Sequence, residues 1–126
     1  MELVQEAVLK AELGKTHVAG AGPLGTRMII DVVGGTVTGE RLNGSLVGAG
    51  ADWLAVGADG FGRVDVRAQL KTDDGAVIYV TYEGLLELNE ATMAASTSDA
   101  ATDFGDQYFR IAARMETGDE RYAWVN

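Results

Sequence analysis

Asp52, Asp65 and Glu83 are the carboxylates of this sequence with the most chemical promise. Each stands among apolar or alternating residues rather than in a charged run. A carboxyl group whose pKa is raised by burial can move protons near neutral pH. Arg110 also lies in the middle of an apolar stretch and completes a candidate catalytic set of Asp52, Asp65, Glu83 and Arg110. Arg67 and Arg110 are suited to hold a carboxylate or enolate oxygen by charge-assisted hydrogen bonds. Tyr79 or Tyr82 can donate one more hydrogen bond, and Trp53 and Trp124 can pack on a ligand. The ligand-binding set is therefore Trp53, Arg67, Tyr79, Tyr82, Arg110 and Trp124. Such a group fits a small apolar or aromatic molecule. It also fits a cofactor-free isomerase, lyase or cyclase, which needs a dry pocket and one or two acid–base groups. A non-catalytic ligand-binding protein, or an assembly module with a filled barrel, uses the same residues differently. In the last of these, Asp65, Arg67 and Arg110 face solvent or pair with one another. Alternation along a strand does not say which face points inward, so these readings stay open.

Other chemistries lack their parts. Gly20 to Gly25 match the dinucleotide-binding glycine string, but a strand rather than a helix follows, and Pro23 sits inside. His17 is the single histidine, there is no cysteine, and no G-x-S-x-G elbow occurs. Neither a serine triad nor a nitrogen–sulfur zinc site can be assembled. His17 reads as an ordinary loop residue. Asp73 and Asp74, like Asp103 and Asp106, read as turn residues, because no twelve-residue calcium loop surrounds them. No metal and no cofactor are expected.

The chain has 126 residues, ten basic against nineteen acidic, a formal charge of −9. That surface repels phosphate backbones and anionic lipids, so neither nucleic acid nor membrane is an expected partner. No stretch is apolar for long enough to span a bilayer, and the opening MELVQEAVLKAELG is no signal peptide. A cysteine-free acidic chain fits the reducing cytoplasm.

The elements that must position these residues are strands. Arg27–Val33, Ser45–Val47, Asp52–Val56, Arg63–Thr72, Ala76–Leu86 and Gln107–Glu116 are short, β-branched or alternating. In Arg63–Thr72, Val64, Val66, Ala68 and Leu70 share one face, and Asp65, Arg67 and Gln69 the other. Gly34-Gly35 marks a bulge or bend. Asn43-Gly44, Asp59-Gly60 and Asp73-Asp74-Gly75 mark turns. Leu3–Leu13 suits a helix by composition and a strand by alternation, Gly14–Gly25 is turn-rich, and Asn89 caps a short helix to Ala95. A polar loop follows, and the whole Asn89–Phe104 segment is a candidate lid. Seventeen glycines against one proline suit turns, bulges and barrel corners. Many short strands in one domain, residues 1–126, predict an all-β antiparallel sandwich or barrel.

Gly34-Gly35-Thr36, Asp52-Trp53, the run Thr72-Asp73-Asp74-Gly75-Ala76 with Ile78-Tyr79-Val80, and the ending Tyr108-Phe109-Arg110 to TGDERYAWVN resemble one family. It is the lipocalin-like domain of unknown function numbered three-two-three-seven, also called uncharacterised protein family three-one-one. The resemblance covers nearly the whole chain, and the Glu116–Asn126 motif is its most specific part. It implies an antiparallel lipocalin-like β-barrel, a strand for the first segment, and, by fold analogy, a small hydrophobic ligand. Members continue into further strand where this sequence stops at Asn126. The resemblance thus implies either a missing closing strand or an edge covered by the N-terminal strand or by a second subunit in a homo-oligomer.

Overall fold

The structure, a computed structural model, describes residues 1–89 and 107–126. Seven strands follow in order: β1 (Ala7–Gly22), β2 (Gly25–Gly39), β3 (Gly44–Leu46), β4 (Ala51–Val56), β5 (Phe61–Thr72), β6 (Val77–Glu87) and β7 (Phe109–Glu116). A short 3₁₀ helix, Glu120–Val125, ends the chain. All pairings are antiparallel, in the order β1-β2-β3-β5-β6-β7, with β4 also joining β2 to β5. The sheet curls into an antiparallel β-barrel. Among the described residues no pairing joins β1 to β7.

The alternation read in β5 is the alternation of the barrel wall. Gly62, Val64, Val66, Ala68, Leu70 and Thr72 are buried, and the residues between them are not. Opposite them Ile78 and Val80 of β6 are buried too. With Leu42, which caps the end of β2, Leu70, Ile78 and Val80 are fully enclosed. Burying each such side chain contributes about 1.5–3 kcal/mol. This packed end of the barrel is the core.

The first segment is a strand, but it begins at Ala7 and runs to Gly22, through most of the stretch expected to turn. β-Bulges reconcile the two. Leu13 pairs with Val32 and Thr16 with Ile30, so two residues of β1, Gly14 and Lys15, oppose one of β2. Further shifts lie at Val33 and at Ala19. The chain therefore bends without leaving the sheet, and His17 stands in β1 beside Ile29, not in a loop. The true turn is Gly22-Pro23-Leu24-Gly25, a hairpin within the glycine string that mimics a dinucleotide loop. Asn43-Gly44 is likewise not a two-residue turn. Asn43 closes the bend by side chain, accepting from the Gly39 N–H at 3.2 Å and donating to the Gly39 carbonyl at 2.8 Å. Gly44 is already in β3, where a Cβ would collide with the Lys71 carbonyl of β5. The helix and loop expected over 90–104, and with them the candidate lid, lie outside the described residues.

The closing motif is a latch on the β5–β6 turn. Tyr122 donates its hydroxyl to Asp74 at 2.8 Å, and Arg121 donates to the Asp74 carbonyl at 3.0 Å. Asp119 caps the 3₁₀ helix through the Arg121 N–H. Asn126 folds back to accept from the Thr117 N–H and donate to its carbonyl. Inside the turn, Thr72 donates to Asp74 at 2.6 Å and accepts from the Ala76 N–H at 2.8 Å. The hydrogen bonds from Thr72 and Tyr122 hold the Asp74 carboxyl below its ordinary range. Thr72 and Ala76 are both buried. Thr72→Val keeps the shape but strands the Ala76 N–H away from water, so denaturant unfolding should show a loss of about 1–3 kcal/mol.

Candidate functional site

Cross-strand partners in an antiparallel sheet project to the same side. Asp52 pairs with Val66, and Val66 with Tyr82. Val66 is buried in the barrel wall, so Asp52 and Tyr82 lie on the inner face, one on either side of it. The lining around them is apolar: Met28, Ile30 and Leu54 on one side, Ile111 and Ala113 on the other. Asp52 accepts a hydrogen bond from the Asp65 N–H at 3.0 Å. Burial pushes its carboxyl above the ordinary value, and that hydrogen bond only partly offsets the effect. Burial also raises the Tyr82 hydroxyl, and the nearby Asp52 charge adds to it. Both groups thus lean toward their protonated forms. A raised carboxyl paired with a phenol can take a proton at one point of a bound molecule and return one at another.

Tyr82 also borders a cavity of about 920 Å³, within the range of small-molecule sites. Leu9, Val37, Val80 and Ile111 wall it, and Trp124 of the 3₁₀ helix closes its end. The Arg41 guanidinium stacks on the Trp124 ring at 3.8 Å from its centroid and is itself held by Glu6 at 2.8 Å. That stack fixes the indole against the cavity.

The other sequence candidates go elsewhere. Trp53, Asp65 and Glu83 lie on the outer face, where they border a separate, shallow groove of about 710 Å³. Arg67, on the same outer face, sits over the Trp53 ring at 5.8 Å. Tyr79 pairs with Gln69 and Glu116 on the outside. Arg110 pairs with Leu85, and its guanidinium lies 5.2 Å from the Tyr108 ring. The single constellation read from the sequence is thus divided by the wall of the barrel. Asp52, Tyr82 and Trp124 stay with the interior, and of these Tyr82 and Trp124 line the cavity while Asp52 does not. Asp65, Glu83, Arg110, Arg67, Trp53 and Tyr79 do not, because each falls one residue out of phase with the buried set. Inner-face residues that the sequence reading left out, Phe109, Ile111, Ala113 and Met115, had a signal in their apolar alternation along β7.

His17 is 3.2 Å from Asp31, both partly exposed. No group of three or more His, Cys, Asp or Glu side chains that could hold a metal ion occurs among the described residues. No helix among them is long and apolar enough to cross a membrane.

The model of the family described as "Protein of unknown function (DUF3237)" matches residues 2–126. A UPF0311 protein of Rhodopseudomonas palustris is 31% identical over 121 residues, covering 93% of this chain and 76% of its own. Two solved structures are similar. A β-barrel-like protein from Acinetobacter baumannii superposes with a TM-score of 0.76 at 32% identity, over 96% of this chain and 80% of that one. A conserved protein of unknown function from Rhodopseudomonas palustris superposes with a TM-score of 0.81 at 30% identity, over 94% and 77%.

Proposed function

Since the chain belongs to a family described only as proteins of unknown function, DUF3237, we propose from its own geometry that it binds a small, largely apolar, ring-bearing molecule inside the barrel and moves a proton on it without a cofactor. The observation that carries this reading is the placement of Asp52 and Tyr82 on either side of Val66 on a largely apolar inner wall. A carboxyl group placed there costs stability, and among the described residues the Arg27 charge, on the outer face, offsets only the smallest part of it. Groups held at such a cost are characteristic of functional sites. In the proposed step Asp52 accepts a proton from carbon beside a carbonyl, and the Tyr82 hydroxyl donates a hydrogen bond to the enolate oxygen that forms. Return of the proton to another carbon completes an isomerisation, and loss of a leaving group completes an elimination. The cavity end at Trp124 seats the ring.

A thermal-shift screen against small aromatic and apolar acids, phenols and enones tests the binding half. One of these classes should raise the melting temperature saturably, by the amount its dissociation constant dictates. Tyr82→Phe should weaken the shift, and Arg67→Ala, on the outer face, should leave it intact. A shift lost in Arg67→Ala and kept in Tyr82→Phe would move the ligand to the outer groove and end this reading.

A further inference from the structure

The indole of Trp124 has different surroundings on its two faces. One face is covered by the Arg41 guanidinium, 3.8 Å from the ring centroid. Trp124 borders the cavity and Arg41 does not. Seen from the cavity, the cation therefore stands behind the ring. Glu6 accepts from the Arg41 Nε–H at 2.8 Å. That N–H lies in the guanidinium plane, so the bond holds the group by its edge and leaves its flat face on the indole. The same hydrogen bond lowers the Glu6 carboxyl and raises the Arg41 guanidinium, which keeps both charged. Glu40 adds to the hold on Arg41. Glu6 itself borders the cavity. Among the described residues the other charged one on that border is Arg114, which pairs with Thr81 in the outward row of β6.

We infer that this end of the cavity selects neutral, electron-rich rings, such as phenols and aryl ethers, over electron-poor rings and aromatic acids, and that Arg41 sets the preference; the inference rests on the ring-binding reading given above. The face of an aromatic ring is negative, and a cation over one face draws that density toward itself. The face turned to the cavity is left poorer in electrons. A ligand ring stacked on it gains most when its own face is rich in them. The ligand meets Glu6 directly and Arg41 only through the indole, so a carboxylate on the ring is repelled more than it is attracted. Arg41 touches no ligand in this arrangement. It is a positioning residue that acts through Trp124, and Glu6 both holds it in place and tempers its charge.

The test uses two neutral probes of nearly the same shape, 4-methoxybenzyl alcohol and 4-nitrobenzyl alcohol, with dissociation constants for the full chain measured by isothermal titration calorimetry. The wild type should bind the methoxy compound about three- to tenfold more tightly. Arg41→Met keeps an unbranched side chain against the indole and removes the charge. It should bring the ratio to within about twofold of unity, with circular dichroism confirming an unchanged barrel. Glu6→Gln still offers an oxygen to the Arg41 Nε–H but no opposing charge, so it should widen the ratio beyond that of the wild type. Equal binding of the two probes by the wild type would overturn the inference and leave the ring-binding reading standing. So would a preference that Arg41→Met leaves intact, or one that Glu6→Gln narrows. Failure of the wild type to bind either probe would count against the ring-binding reading itself, and the inference would fall with it.

Discussion

Asp52→Asn should lower turnover of the compound class found by the thermal-shift screen by about 10²–10⁴-fold, the range for removing a positioned general base, while leaving the fold at neutral pH as stable as before or more so. Both halves follow from one observation. Asp52 sits in an apolar wall, and burial raises its carboxyl above the unfolded value. An acid with a raised native pKa binds more protons folded than unfolded between the two values. Stability from this group is therefore fully present below the unfolded carboxylate range, near pH 4. It is lost as pH rises through the native value. Asparagine carries no charge to desolvate, and its side-chain oxygen still accepts from the Asp65 N–H. The melting temperatures of wild type and variant should thus converge in acid and separate, in favour of the variant, toward neutral pH. Turnover by the wild type should rise over the same window as Asp52 ionises. A variant that melts lower than wild type at neutral pH would make Asp52 a structural cap for the β4–β5 pairing and remove its catalytic assignment.

Leu70→Ala should cost about 2–5 kcal/mol by denaturant unfolding, the largest loss of stability expected from one substitution in this chain. Leu70 has no exposure and packs with Leu46, Ile78 and Val80 at the closed end of the barrel. The space it leaves opens next to the cavity that Leu70 itself borders. Two responses can be told apart. If the end of the barrel is rigid, the vacated volume stays, the full cost appears, and bulkier ligands bind better. If the 3₁₀ helix shifts inward, the cost falls to the lower part of the range and ligand preference does not change. A loss below about 1 kcal/mol would be out of keeping with a close-packed core at this position.

The long strands were legible because their chemistry is local. In Arg63–Thr72 each buried position is apolar or small and each exposed one polar, and the Asp73-Asp74-Gly75 turn announced the hairpin to β6. The first segment was ambiguous because alanine, glutamate and leucine satisfy both periods. Only pairing with β2 decides it, and β1 outlasts its apparent turn because bulges absorb Gly14-Lys15 and Ala19. Which face of each strand is inner was not legible. Asp52 and Trp53 are neighbours in sequence and lie on opposite sides of the wall, fixed by a register that aligns Asp52 with Val66. A one-residue slip would exchange them. The candidate site was therefore found as a set of residue types and only partly as a place. The tail motif was recognised as distinctive, but its physical role, a latch of Asp74, Tyr122 and Arg121, depends on a turn far away in sequence.

That latch bears on the time course of folding. Strands β1 and β2, β4 and β5, and β5 and β6 pair across short connections, so their loops close early and cheaply. Tyr122 and Asp74 are 48 positions apart, and the receptor for the tail is a turn that does not exist until β5 and β6 have joined. The 3₁₀ helix is consequently expected to dock only after β5 and β6 have joined. The indole of Trp124 travels with it, from solvent to the stack with Arg41. Its fluorescence should therefore follow the docking of this helix, whereas Trp53, in β4 on the barrel wall, should follow the pairing of the strands.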